Sequence, residues 1–405
     1  MEIRPTTGKD FDVFVDTLHA AFGLFPETPV DGGGLWWSAL ETDRCLLAVA
    51  ADGRPVGTAA THSFELTLPG ASLVPAPGVT AVGVLPSHRR QGVLSAMMRH
   101  QLTELRGRGE MLSVLLASEA LIYGRFGYGP ATYTAQLKVP RHKAAFAAPR
   151  ASGVDEGAAT GSVEVLRRAE CGEILEEVYD RYRRAQPGAL SRPHRWWALR
   201  AGQPPISPAQ RYIAVHRGTD GDPNGYACYS IDSGTLTVDE TIATEDAVFT
   251  ALARFLLEHD LVSHVVFKHV PSDHPLRWRF ADFRAGEVSG DMDWLWVRLL
   301  DVPRALTARG WFADGELVLD VDDPFLGEHG RYLLTVRDGK ADCVPTDREP
   351  DLSLDVRDLG SLYLGGTAPS TLTRAGHIRA HHPGAATLAD ALFRTERSPH
   401  CLHWF

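Results

Sequence analysis

From residue 1 to about 290 the chain runs through one pattern twice, and an internal repeat of that length restricts the fold more than any single motif does. The first copy opens on Ile3-Arg4-Pro5, continues with a helical pattern from about Asp10 to Phe22, and reaches Trp36-Trp37 after a loop. The second opens on Val165-Leu166-Arg167, has a helical pattern from about Glu170 to Arg184, and reaches Trp196-Trp197. A hairpin follows in each. In the first copy it is Leu46 to Val49, an Asp52-Gly53 turn and Val56 to Ala60; in the second, Tyr212 to Val215, a turn through Gly221 and Gly225 to Ser230. Each copy then has a strand, a helix and an apolar strand. These are Thr80 to Leu85, Val93 to Arg106 and Met111 to Ala117, against Leu236 to Ile242, Asp246 to His259 and Ser263 to Lys268. Ser118 precedes Arg125-Phe126 at the separation at which Ser272 precedes Arg279-Phe280. The expectation is a duplicated α/β domain followed by a third unit.

Two breaks divide the chain. Ala144 to Ser162 is rich in Ala, Gly, Pro and Ser and has no sustained apolar period. Gly286 to Asp291 precedes the apolar run Trp294-Leu295-Trp296-Val297. The expected domains are 1–143, 144–290 and 291–405, all of ordinary domain size. With 44% hydrophobic and 23% charged residues, a wholly disordered chain is excluded. Acidic residues outnumber Lys plus Arg by 51 to 41, for a net charge of −10. That balance argues against a generic nucleic-acid or anionic-lipid binder and favours attraction of a polycation. Apolar runs such as Cys45 to Ala51 have strand length, far short of the roughly 18 residues that span a membrane. Met1-Glu2-Ile3-Arg4-Pro5 lacks the pattern of a signal peptide. The five cysteines are odd in number and widely spaced, which fits neither a zinc framework nor a disulfide scaffold. The reading is a cytoplasmic protein with reduced thiols.

One segment distinguishes the copies. In the first, Val82-Gly83-Val84-Leu85-Pro86-Ser87-His88-Arg89-Arg90-Gln91-Gly92-Val93-Leu94 carries a strand through a basic turn into a helix. Free backbone N–H groups and the positive end of the dipole make a helix start an anion site. Gly92 admits a ligand close to the backbone, and two guanidiniums add charge. Gly83, in a β-branched strand, suggests a bulge. The turn is too short for a nucleotide P-loop and lacks its Gly-Lys-Ser/Thr ending. In the second copy Ala243-Thr244-Glu245-Asp246 stands there instead, and its carboxylates cap a helix but repel a diphosphate. The second copy is therefore read as degenerate, with one active site per chain.

The turn resembles motif A of the GNAT superfamily, the acetyl-CoA-dependent N-acetyltransferases, whose signature is Gln/Arg-x-x-Gly-x-Gly/Ala. Arg89 and Gly92 match its first two fixed positions and Leu94 departs from the third. The segment Ala117-Ser118-Glu119-Ala120-Leu121-Ile122-Tyr123-Gly124-Arg125-Phe126-Gly127-Tyr128-Gly129, the duplication, the length and the aromatic C-terminus are similar to the Eis (enhanced intracellular survival) acetyltransferases. That resemblance implies an α/β (α+β) chain of two tandem GNAT domains and a C-terminal sterol-carrier-like domain, assembled as a homohexamer, a trimer of dimers. It implies acetyl-CoA bound by Val82, Gly83, Val84, Arg89, Arg90, Gln91, Gly92, Val93, Leu94, Ser95, Ser118 and Glu119. Tyr123 matches the general acid, with Tyr128 as the competing phenol, and Arg277 stands at the position of Tyr123 in the second copy.

Acetyl transfer from a thioester to an amine needs a proton for the departing thiolate, and a phenol of pKa about 10 can supply it at neutral pH. The base implied by the resemblance is the α-carboxylate of Phe405. Termini are usually polar and frayed, so the ending Cys401-Leu402-His403-Trp404-Phe405 signals an end that is held down. With a pKa of about 3.5, an α-carboxylate suits orienting an amine better than deprotonating one. Glu27, Asp31, Trp36 and Trp37 are candidates for lining a pocket for a cationic, sugar-like amine, with Gly32-Gly33-Gly34 as a flap beside them. No metal is expected: His377 and His381 have helical spacing beside His382 but lack a third ligand. The expected reaction is direct transfer to a small-molecule amine, and the resemblance implies aminoglycoside antibiotics, acetylated at several amines. The alternatives are a lysine or polyamine acetyltransferase, or a lipid or acyl-CoA binder acting through the third domain.

Overall fold

Strands with one or both faces apolar sort into three sheets in the computed structural model, which describes residues 1–23, 39–147, 161–167, 170–194, 196–197 and 212–405. The first copy supplies β1 (Glu2–Pro5), β2 (Cys45–Val49), β3 (Pro55–Thr67), β4 (Leu73–Val84), β5 (Leu112–Leu116) and β6 (Gly129–Pro130). Its helices are α1 (Phe11–Ala21), α2 (Val93–Gly107) and the short α3 (Ala120–Tyr123). The second copy repeats this with β8 (Ser162–Leu166), β9 (Tyr212–Arg217), β10 (Pro223–Asp232), β11 (Thr235–Ala243) and β12 (His264–Val270), and with α4 (Ile174–Ala185), α5 (Asp246–Leu257) and α6 (Leu276–Arg279). In both copies the long helix crosses between parallel strands, β4 to β5 and β11 to β12, because a parallel pair needs such a connection. The duplicated α/β units are there, and β3 and β4 are longer than their apolar patterns suggest.

The copies exchange their last strands. β7 (Tyr133–Pro140) leaves the first sheet and pairs with β12 of the second, flanked by β13 (Glu287–Asp293). β14 (Leu295–Leu299) returns and inserts between β5 and β6. The two crossings lie side by side: Ala131 N–H donates to the Leu295 carbonyl at 2.9 Å, and Trp294 N–H to that of Thr132 at 2.9 Å. Sheet membership thus departs from the breaks at 143 and 290. All five residues of β14 are buried, as in a strand covered on both faces, so a run that in sequence heads the third unit is an interior strand of the first sheet, next to its edge.

The third unit is the sheet β17-β16-β15-β18-β19, made of β15 (Gly315–Asp323), β16 (Glu328–Arg337), β17 (Lys340–Pro345), β18 (Leu352–Asp355) and β19 (Arg379–Ala380). Against it pack α7 (Val302–Ala308), α8 (Val356–Tyr363), α9 (Pro369–Arg374) and α10 (Ala385–Phe393). Its core, with Leu317, Leu319, Leu334, Leu359 and Phe393, is continuous with Phe64, Val114 and Val297 of the first domain. His377 belongs to no helix; it pairs with Asp358 at 3.0 Å, while His382 pairs with Asp351 at 2.9 Å. Among the described residues no helix is long and apolar enough to cross a membrane.

Candidate active site

β4 and β5 run together for only two residues, Gly78 opposite Val114 and Val79 opposite Leu115. Beyond that point β4 continues along β3 to Val84, while β5 ends at Leu116 and the chain turns through Ser118. The fork opens a cleft of roughly 860 Å³. Val82, Gly83 and Val84 form one wall, and Ser118, Glu119 and Tyr123 form the other. Arg89, Arg90, Gly92, Val93, Leu94 and Ser95 close the far end. The bulge expected at Gly83 lies just before it. Thr58 faces Gly83 and Ala60 faces Thr80, so Ala81 and Val82 both face Ala59, and Ala81 takes the positive φ of 49°. Gly83 has another reason to be glycine. A Cβ there would come within 2.8 Å of the Ala21 Cβ, so α1 could not lie across the strand.

The turn presents free backbone donors at the start of α2. Gly92 caps α2 at φ 82°, and a Cβ on it would meet nothing within 4 Å, which leaves the backbone open to a ligand. The first bond inside the helix runs from Ala96 N–H to the Gly92 carbonyl, so the N–H groups of Val93, Leu94 and Ser95 have no partner within α2. Leu94 packs against the core, so its departure from the motif leaves those donors intact. The two arginines differ. Arg89 donates to the Ala21 carbonyl at 2.7 Å and to that of Val84 at 3.3 Å, tying the turn to the end of α1. Arg90 is exposed at φ 61° and lines the cleft. Gln91 is exposed and donates to the Ser87 carbonyl at 3.1 Å.

Tyr123 is buried at the end of α3, and its phenol is pushed above the usual tyrosine range by burial, opposed by a hydrogen bond with Ser118. Tyr128 is fully buried 6.4 Å away, and its hydroxyl is engaged with Ser113 Oγ at 2.9 Å. Of the two phenols, Tyr123 is the one that lines the cleft. Phe405 is 5% exposed and lies at the root of the fork. Its ring stands edge-on to Phe64 at 4.9 Å, and a Cβ on Gly78 would come within 2.8 Å of it. Val79, the next residue, packs in one cluster with Tyr123 and Tyr128. Glu27, Asp31, Trp36, Trp37 and the three glycines lie outside the described residues.

In the second copy Glu245 stands at the N-cap position of α5 without a side-chain capping bond, and Asp246 occupies its first turn, where the first copy has Gly92 and Val93. The Arg277 guanidinium stacks on Phe283 at 4.3 Å. Sequence reasoning missed the structural use of Arg89 and the aromatic surroundings of Phe405. Gly78 was the available signal, since a glycine in a strand marks close approach by another group.

Comparison with known proteins agrees with this architecture. Residues 2–131 and 188–299 match models of an acetyltransferase (GNAT) domain, and residues 302–402 match a sterol carrier protein domain. An uncharacterized N-acetyltransferase of Streptomyces avermitilis is 38% identical over 100% of this chain and 99% of its own length. The N-acetyltransferase Eis of Mycobacterium tuberculosis is 34% identical over 89% of each chain. The crystal structure of Eis1 from Mycobacterium abscessus superposes with a TM-score of 0.86 at 35% identity, covering both chains completely. With two GNAT domains, a sterol-carrier-like domain and full-length relatives of that name, the chain belongs to the Eis family of GNAT N-acetyltransferases.

Proposed function

We propose that the forked cleft transfers acetyl from acetyl-CoA to amines of an aminoglycoside-type polycation, at more than one position, by direct attack in a ternary complex. The observation that carries this reading is the convergence of the anion-binding turn, the open wall at Val82–Val84 and the Tyr123 phenol on one cleft. The N–H groups at the start of α2, with Arg90, would hold the cofactor's diphosphate. Backbone groups beside Gly83 would polarise the thioester carbonyl. Tyr123 keeps its proton at neutral pH and would give it to the departing thiolate, oriented by Ser118. The Phe405 carboxylate would orient the attacking amine, a reading supported by the burial of its ring at the root of the same fork. The net charge of −10 favours a polycationic acceptor. Family membership supports a cytoplasmic homohexamer with chemistry in residues 1–143, a non-catalytic copy in 144–290 and the terminal base contributed by 291–405.

The test is thiol release from acetyl-CoA across aminoglycosides, polyamines and lysine peptides, with the native chain and a variant extended by one glycine after Phe405. The native protein should turn over aminoglycosides fastest. The extension moves the carboxylate by about 3.5 Å while keeping both terminal rings, and should abolish most turnover. Faster release with lysine peptides would overturn the acceptor, and full activity of the extended chain would overturn the base.

A further inference from the structure

The two forks of this chain are filled differently. In the second copy β11 and β12 run together from Thr235 opposite His264 to Val238 opposite Phe267 and then part, as β4 and β5 do. The chain's own C-terminal segment crosses the region beyond. Arg397 reaches the start of α5, with its guanidinium 3.3 Å from the Asp246 carboxylate, the place held in the first copy by the anion-binding turn. The Ser398 carbonyl accepts from Gln186 Nε2 at 2.9 Å, and His400 N–H donates to the Pro187 carbonyl at 2.8 Å. Gly188 permits that approach: a Cβ there would lie 3.0 Å from His400 N and 3.2 Å from the Pro399 side chain. Further in, Leu402 packs against the cluster of Tyr179, Tyr226 and Ile242 between α4 and the sheet.

The segment that grips the tail is also bonded to the first domain. Gly188 N–H donates to the Thr67 carbonyl at 2.8 Å, Thr67 N–H to that of Ala189 at 3.0 Å, and Ser191 N–H to that of Glu65 at 2.8 Å. A tail seated on residues 186–191 is therefore registered against β3, the strand that carries Phe64. The last anchor is Arg192. Its buried guanidinium forks onto Glu240 at 2.8 and 3.2 Å, and Tyr226 hydroxyl donates to the same carboxylate at 2.9 Å. Stacked on Tyr179 at 4.2 Å, it has little freedom. Its Nε–H points to His403 Nδ1 at 3.3 Å. A guanidinium only donates, so Nδ1 must accept and the neutral ring carries its proton on Nε2. The His403 ring stands edge-on to Phe64 at 5.1 Å and to Trp196 at 5.0 Å, two residues before the terminus.

We propose that the cleft of the second domain is a receptor for residues 397–402 of the same chain, and that Arg192, acting through His403, is the positioning residue that sets where the Phe405 carboxylate stands. The consequence for turnover rests on the terminal-carboxylate reading above. In this account the second copy kept the fork but exchanged its ligand, with Asp246 selecting a guanidinium where the first copy's turn selects an anion.

The experiment compares His403→Leu with His403→Asn in the full chain. Asparagine carries an acceptor near the place of Nδ1, and leucine carries none. Release of Phe405 by a carboxypeptidase reads the seating of the tail without reference to activity, and steady-state kinetics read its use. In His403→Leu, release should quicken and kcat should fall, each by about tenfold, the worth of one such hydrogen bond, with the KM for acetyl-CoA within about twofold. His403→Asn should recover most of both. Native resistance to the carboxypeptidase in both variants would overturn the receptor. Equal losses in the two variants would overturn the role of Arg192, leaving His403 as packing. Faster release in His403→Leu with unchanged kcat would uphold the receptor and refute the terminal-carboxylate reading instead.

Discussion

Two adjacent arginines illustrate how little a side chain's type says about its use. Arg89, the residue that matches the diphosphate motif, has its guanidinium on the Ala21 and Val84 carbonyls, whereas Arg90, which lines the same cleft, makes no such tie to the fold among the described residues. Arg90→Ala should raise the dissociation constant for acetyl-CoA by about tenfold, as expected for a lost charge-assisted contact, and leave thermal stability unchanged. Arg89→Ala should instead lower the melting temperature, because it strips the cap from α1. Calorimetric titration and melting of both variants separate these roles, and a loss of affinity confined to Arg89→Ala would reverse the assignment. Tyr123→Phe keeps the buried ring and removes only its acidic proton. As general acid it should cost on the order of 10²–10⁴ in kcat with little change in cofactor affinity. The same loss from Tyr128→Phe alone would move the acid to the other phenol.

At the scale of elements, the fork depends on strands that run together briefly and then separate. Gly78 is the first of the two paired residues at the root of the fork, and the Phe64 and Phe405 rings lie against its backbone, where a Cβ would come within 2.7 and 2.8 Å of them. Gly78→Ala should push the terminal ring outward at a cost of about 1–3 kcal/mol of stability, the usual range for overpacking a core. It should also lower kcat while leaving acetyl-CoA affinity near native, since the turn at Gly92 lies at the other end of the cleft. Native turnover in a folded Gly78→Ala protein would show that the position of Phe405 does not matter. The elements themselves were largely legible in sequence. The helix expected from Val93 to Arg106 spans Val93–Gly107, and that expected from Asp246 to His259 spans Asp246–Leu257. Local periodicity and capping decide such elements, and both are written in neighbouring residues.

At the scale of the whole molecule, the buried His400 of the tail lies near the half-buried His269 and His274 of the second copy. Burial pushes His269 and His274 down to about 4 and His400 down to about 3. The carboxylates of Asp246 and Asp273 near His274, and of Asp239 and Glu240 near His269, oppose this without reversing it, while Lys268, Arg279 and Arg397 reinforce it. An unfolded chain takes up these protons as pH falls through about 6.5, whereas the folded chain resists them until about 4. The unfolded state binds more protons in that window, so stability is full above about pH 6.5 and declines as the pH falls. One such group contributes roughly 2 kcal/mol between pH 6.5 and 5. Chemical denaturation should therefore show a marked loss of stability from pH 7 to 5, smaller in His400→Leu. An unchanged slope in that variant would mean that the acid sensitivity arises elsewhere.

The duplication, the basic turn of the first copy, the acidic turn of the second and the apolar terminus are all properties of the sequence by itself, because each is set by neighbouring residues or by a pattern that repeats. Only the tertiary structure decided that β7 and β14 change sheets, that Arg89 caps a helix 68 residues earlier, and that residues 397–402 lie in the second cleft. These are pairings between distant segments. An apolar strand such as Leu295–Leu299 suits any sheet interior, and a buried terminal ring such as that of Phe405 suits any apolar groove. Which partner each one meets is settled by how the two sheets pack, a free-energy difference spread over the whole molecule and present in no local stretch of it.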